Sequence, residues 1–473
     1  MLRASAVCEK AGIPAVSLIC EGFMRQAATT SVGLGMPNLS CAMVPGHIDI
    51  QAKDELRRNI LDVTMDLVAQ GLTRQPEAAS DEPEISSKQI VFTGTFEDVN
   101  EYFYQHEWSD GLPIVPPTIA KIEQFLKFTD RNPDEVLGVL LPDNRAATIW
   151  SIAVNGVMAG CKPEYMPVLV ALIEAMADPE YGVEHSSNTP GADTLIILNG
   201  PIIKQLGFNY EQGVMRDGFR PNTSIGRFWR LYLRNVAGFL LHKTDKGTYG
   251  NTWRVVIGEN EDALAEIGWQ PNSVDMGFKA GDNTVTIGRY TGGNLSAGVG
   301  GSTPEEMLPY LADAVLKQIT WQVIFTMGMA NGMLRPLLLI TPIIARQIAK
   351  AGWSKDDVKR YLFEHCRMPA EAFNRYLNFG DWVNPGPWNI EDHVRLKKAP
   401  KFFYESDNPK RMVPIVCNPD DFMIVVTGDP MRTNAYAFAP NGHLGYQVAK
   451  KIELPKNWDE FLTSGGSSVK TAK

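Results

Sequence analysis

A chain of 473 residues, 44% of them hydrophobic, has enough apolar surface for large cores and a length that implies two or three domains. A formal net charge of −9 and a pI near 5.4 argue against nucleic acid or an anionic membrane surface as the main partner. Mean hydropathy is −0.15, no apolar run reaches about 18 residues, and the opening MLRASAVCEKAGIPAV lacks the continuous apolar core of a secretory leader.

Six cysteines (Cys8, Cys20, Cys41, Cys161, Cys366, Cys417) are widely spread, without a CxxC pair. They suggest neither a zinc cage nor a disulfide framework, so a reducing cytoplasm is the expected home. The seven histidines include no HxxxH pair. No transition-metal site is expected from them, and the sequence names no cofactor.

The first segment, 1–74, opens on a helix (LRASAVCEKAG) that Gly12 ends. Ile13 to Ile19 is expected as a buried strand, Glu21 to Ser31 as a helix, and Gly33 to Pro37 as a turn. Ser40 to Val44 follows as a second buried strand, and Lys53 to Gln70 as a long amphipathic helix. Short apolar strands alternating with helices mean a parallel sheet, here Rossmann-like. Such a domain normally opens on a strand, whereas this one opens on a covering helix. Either a strand lies upstream of Met1, or another chain or the larger segment fills the gap; the second case makes the protein an oligomer. Residues 75–87, QPEAASDEPEISS, are expected to be a solvated linker.

The larger segment, 88–462, is expected to be a second α/β domain, followed by a flexible tail at 463–473. Ile90 to Phe92 is expected as a strand and Phe96 to His106 as a helix. The Pro/Gly-rich EWSDGLPIVPPT then offers Trp108 and Asp110 as pocket residues or as pins of a structural loop. Two apolar, helix-period runs flank the break Gly160-Cys161-Lys162-Pro163-Glu164. Gly160 suits a left-handed C-terminal cap and Pro163 a first helical turn. Cys161, beside Lys162 and a helix start, is therefore expected to favour thiolate and to line the main pocket. Asp193 to Leu198 is a buried strand, with Asn199-Gly200-Pro201 at its carboxyl end, where open α/β sheets place their ligand crevice. His185, in the polar run just before it, is a candidate acid/base group.

Arg227, Arg230 and Arg234 recur along one face of the helix in SIGRFWRLYLRNV, as an anion clamp or an ion-paired face. Arg254 to Gly258 is expected as a strand. The carboxylates Glu259, Glu261 and Asp262 follow it and suit acid/base work, a hard cation or a solvated turn. Asn283 to Arg289 is a strand leading into the glycine-rich TGGNLSAGVGGSTPEEM, which matches neither the P-loop nor the dinucleotide fingerprint. Leu337 to Ile340 and Phe422 to Val426 are buried strands, Asp381 to Trp388 a loop, and Ile452 to Phe461 a terminal strand and turn.

The stretch EKAGIPAVSLICEGFMRQA, with GLGMPNLSCAMVPGHI, resembles the UGSC-motif family, named for a selenocysteine (or cysteine)–Gly–Ser–Cys motif. It is more distantly similar to the selenoprotein B subunits of glycine reductase-type systems. In that family the redox motif lies just before the helix with which this chain begins. Here no Cys-Gly-Ser-Cys occurs, and Cys8 lies within the helix, which counts against thiol redox chemistry in this segment. The larger segment resembles the domain that accompanies UGSC proteins. The matching stretches are EWSDGLPIVPPT, AVNGVMAGCKPEYMPVLVALIEAM, LIILNGPI, SIGRFWRLYLRNV and AGWSKDDVKRYLFEHCRMP. That resemblance implies a metabolic enzyme domain, often redox-related, and no particular substrate.

The expectation is therefore a cytoplasmic α/β enzyme acting on a small carboxylate-bearing or polar substrate. Cys161 would be nucleophile or thiol acid/base, Glu259 or His185 the proton carrier, and Asn199, Arg227, Arg230, Trp108 and Asp110 the binding groups. Two alternatives stand beside it: a thiol-independent lyase or hydratase that uses the carboxylates, and a non-catalytic subunit of a larger complex.

Overall fold

The computed structural model describes residues 2–36, 38–48, 50–74, 88–253, 255–328, 332–380, 389–441 and 446–463. The expected linker at 75–87, the loop Asp381 to Trp388 and most of the tail lie outside them. The chain is α/β. In the N-terminal segment, β1 (Ser17–Cys20) and β2 (Cys41–Val44) form a parallel pair in the register Ser17 to Cys41. Helix Leu2–Lys10 buries Leu2, Ser5 and Ala6, and the Ser5 and Ser17 hydroxyls are hydrogen-bonded at 2.7 Å. The amphipathic stretch from Lys53 runs to Thr73, with a wide helical turn at Ile60–Thr64.

In the larger segment, helices Phe96–Gln105 and Ile119–Leu126 precede a hairpin that periodicity alone does not show, β3 (Val136–Leu140) with β4 (Arg145–Thr148). The first of the two helix-period runs flanking the Gly160 break therefore begins only at Ile149, where Thr148 and Ser151 form a capping box. Ile90 to Phe92 is not a strand. The main sheet contains β5 (Asp193–Asn199), β6 (Val256–Gly258), β7 (Thr284–Ser296), β8 (Leu337–Ile340), β11 (Met423–Val426), β12 (Ala435–Pro440) and β13 (Val448–Lys451). A separate antiparallel pair joins β9 (Arg367–Pro369) to β10 (Met412–Pro414).

The main sheet follows the order β11-β8-β12-β7-β5-β6, with β13 also on β7. It contains one arrangement twice. An antiparallel strand borders a parallel pair in β7-β5-β6 and again in β12-β8-β11. The long β7 joins the halves, pairing with β5 through Thr284–Tyr290 and with β12 through Tyr290–Ser296. It runs straight through glycines that the sequence suggests as a loop. At Gly293 a Cβ would come within 2.4 Å of the Tyr436 ring and 2.7 Å of Phe438, so the close crossing of β12 requires glycine.

Alternation along the strands divides the core into three clusters. Ile196, Leu198, Val256, Val285 and Ile287 face helices Ile149–Met158, Met166–Ala177 and Arg220–Tyr232. Leu338, Ile340, Ile424 and Val426 face helices Pro304–Leu316, Pro342–Lys350 and Lys355–His365. Leu195, Ile197, Ile257, Tyr290, Leu337, Leu339, Met423, Val425 and Phe438 fill the inner side of the curl. The curl brings the tips of β6 and β11 together. Asn260 N donates to Val426 O at 2.7 Å, and the Thr427 hydroxyl to Gly258 O at 2.8 Å. The carboxyl ends of both parallel pairs thus meet at one place.

Candidate functional site

The residues singled out in the sequence fall into three separate groups. The first surrounds Cys161. Gly160 has φ 79°, and Cys161 N donates to Gly156 O at 3.0 Å, so the cysteine closes the C-terminal end of helix Ile149–Met158. The helix after it starts at Met166, behind a single turn at Pro163–Tyr165. Lys162 reaches Glu164 at 3.4 Å. The expected depressed thiol pKa is therefore corrected. Burial pushes the Cys161 thiol up to about 12, against weaker opposing effects of the Ser224 hydrogen bond and of Arg220 and Arg227. Cys161 belongs to the apolar core of the first half, and Arg220 covers the break by donating twice to Gly160 O.

The second group is the arginine face of helix Arg220–Tyr232. Its members do not converge on Asn199-Gly200, as a shared anion clamp would require. Arg227 forms a two-point pair with Asp110 at 3.0 and 2.8 Å and donates to Pro113 O at 3.0 Å. It thereby pins the loop that carries Trp108, whose ring packs edge-on against Phe103. Arg234 is bound to Glu107 O. Arg230 reaches Asp193 at 3.2 Å and Asp245 at 3.9 Å, at the opposite end of β5 from Asn199. Burial raises the proton affinity of Asp193 against the pull of Arg230.

His185 ends the short turn Val183–His185, with Nε2 3.9 Å from Glu184. The N-terminal segment docks beside it. Arg3 pairs with Glu184 at 3.2 Å, Gln26 donates to Thr244 O at 3.3 Å, and Lys246 to Gly22 O at 3.2 Å.

The third group, at the meeting of the strand ends, is a buried polar cluster. Glu259 continues β6 inward and is 1% exposed. Its carboxylate accepts from Asn199 Nδ2 and Asn272 N, both at 2.7 Å, and from Val426 N at 3.3 Å. Burial raises its proton affinity, while Lys355 and these hydrogen bonds oppose the rise. Glu261 accepts from Asn199 Nδ2 at 2.9 Å and Gly200 N at 2.8 Å. Thr284 stands directly across from Asn199 in the β5–β7 register, and Asn272 Nδ2 donates to Thr286 at 3.1 Å. Lys355 is buried and donates to Asp275 at 2.9 Å. Asn199 Oδ1, Asn272 Oδ1, Ser273 Oγ and Thr284 Oγ1 are buried with no hydrogen-bond partner in the protein.

Of the expected site residues, this cluster unites Asn199 and Glu259. It leaves out Cys161, His185, Arg227, Arg230, Trp108 and Asp110. Asn272, Ser273, Thr284 and Lys355 were not singled out in the sequence. Thr284 had a signal, because Thr284 and Thr286 alternate with Val285 and Ile287 and so mark a polar face on a strand buried on both sides. Asn272, Ser273 and Lys355 had none. Among the described residues, no group of three or more His, Cys, Asp or Glu side chains is placed to hold a metal ion. No helix among them is long and apolar enough to cross a membrane.

Residues 1–73 match the UGSC family model. No curated protein and no solved structure matches the chain.

Proposed function

We propose that this chain, whose first 73 residues form a UGSC-family domain, is an enzyme that moves a proton on a small polar substrate through Glu259, in a lyase or hydratase type of reaction that uses no thiol. The observation that supports this most is the set of four unpartnered polar atoms around a buried carboxylate of raised proton affinity. A buried carboxyl group of raised proton affinity is suited to taking a proton and returning it. The place fits as well, since α/β sheets present ligands at the carboxyl ends of their parallel strands. The arginines already have carboxylate or backbone partners, so the substrate is better described as polar than as an anion clamped by them. Cys161, protonated and in the core, is not a nucleophile in this reading.

The reading is tested by incubating the purified chain with a panel of small hydroxy and amino acids. The assay follows the ultraviolet absorbance of a new double bond, with Glu259→Gln as the control. Turnover by both proteins, or turnover that depends on Cys161, contradicts it.

We place the enzyme in a reducing cytoplasm, because its six cysteines are all free, and we take its N-terminal parallel pair as Rossmann-like. A second reading, as a subunit of an assembly, is favoured by one observation. Val7, Ile13, Leu18, Leu61, Met65 and Leu72 are all exposed within this small segment. Light scattering that shows a monomer at all working concentrations would remove it.

A further inference from the structure

We infer that the buried polar cluster beside Glu259 is a binding site for a small monovalent cation, sodium or potassium, held chiefly by neutral oxygens. The inference rests on the same cluster as the proposed function but not on its chemistry. Asn199 Nδ2 is committed to Glu259 and Glu261, which leaves its Oδ1 without a partner on the strand that pairs Asn199 with Thr284. Asn272 is tied by its backbone N–H to Glu259 and by Nδ2 to Thr286, and its Oδ1 is also without a partner. The hydroxyls of Ser273, the next residue, and of Thr284 complete the set. Asn199, Asn272, Ser273 and Thr284 are each at most 1% exposed.

A buried polar atom left unpaired costs about 1–3 kcal/mol, so four on residues linked through Glu259, Thr286 and the β5–β7 register call for a common partner. The two amide oxygens only accept, and the hydroxyls accept as readily as they donate. An all-oxygen, acceptor-biased set selects a hard cation over an anion or a soft metal. Charge selects a monovalent one. Lys355 bonds to Asp275, and Lys359 lies 3.4 Å from Asp275 and 3.8 and 3.7 Å from Asp356 and Asp420 at the rim. Taken with Asp275 and Glu261, the two lysines are balanced, and Glu259, whose burial favours the protonated form, leaves at most one negative charge. A single inward carboxylate, whose oxygens already accept three hydrogen bonds, is a poor set for calcium, which takes 6–8 oxygens.

The test is thermal unfolding of the full chain in sodium, potassium or choline chloride at equal ionic strength. Sodium or potassium is expected to raise the unfolding temperature saturably, by about 2–4 °C over choline. Ser273→Ala and Thr284→Val are expected to unfold cooperatively in choline and to lose most of that rise. Equal unfolding temperatures in all three salts overturn the site. A rise that both variants keep also overturns it, because the ion then binds elsewhere. Stability alone is read, so this result is independent of whether Glu259 is catalytic.

Discussion

Cys161 decides between thiol chemistry and carboxylate chemistry, and its reactivity can be worked from the structure. Its thiol is pushed up to about 12 by burial, whereas an ordinary cysteine titrates near 8.5. At about pH 8 the thiolate fraction is then roughly one in ten thousand, against about one in four for an unperturbed thiol. Only the thiolate is alkylated, so ionisation alone slows the reaction about 2,000-fold, before any occlusion by the core. Cys8 and Cys20, both partly exposed, serve as internal references. The folded protein is pulsed with iodoacetamide, quenched, unfolded, labelled with a heavy analogue, and mapped by mass spectrometry. Cys161 should carry almost only the heavy label, and should become reactive when the chain is unfolded in urea before the pulse. Light labelling of Cys161 within about tenfold of Cys8 would refute the argument, because it requires a thiolate that the burial shown here does not allow.

Three further outcomes follow from named contacts. Arg227→Met removes the two-point pair to the largely buried Asp110 and loosens its loop, and should cost about 3 kcal/mol in urea unfolding; a loss below about 0.5 kcal/mol would show the pair to be dispensable. Gly200→Ala forces a side chain onto φ 95° and within 2.6 Å of Asp282 O, and should cost at least about 2 kcal/mol; an unchanged midpoint would contradict the packing of Gly200 against Asp282 and Asn283. Asp193 has raised proton affinity from burial, so its favourable contribution is complete below the unfolded carboxylate range, about pH 4, and is lost as pH rises through the folded value. Asp193→Asn should therefore gain stability relative to wild type between acid and neutral pH, and a constant or shrinking gain would reverse that sign.

How much of this was legible in the sequence depended on whether the cause was local. Leu337 to Ile340 and the core of Asp193 to Asn199 could be read directly, because a short apolar run buried on both faces is its own signal. The Gly160 cap was local too. The β3–β4 hairpin was hidden because Ala146 and Ala147 suit a helix, and only the pairing of Arg145 to Leu140 makes them strand. The passage of β7 through Gly292 and Gly293 was hidden because its reason is the Tyr436 and Phe438 rings, more than a hundred residues away. The buried polar cluster was half legible. Asn199 and Glu259 stood at strand ends, but Asn272, Ser273 and Lys355 reach them only through the curl of the sheet. Cys161 misled for a local reason: a short turn separates it from the following helix, so it takes the end of the preceding one.

The central claim is that Glu259, and not Cys161, carries the chemistry. It is tested most directly by steady-state kinetics of Glu259→Gln and Cys161→Ser on one turned-over substrate, with the fold of each variant verified by circular dichroism. The account predicts a loss of about a hundredfold or more in kcat for Glu259→Gln and a value within about threefold of wild type for Cys161→Ser. A folded Glu259→Gln that keeps wild-type kcat, or a Cys161→Ser that loses it, would contradict the account.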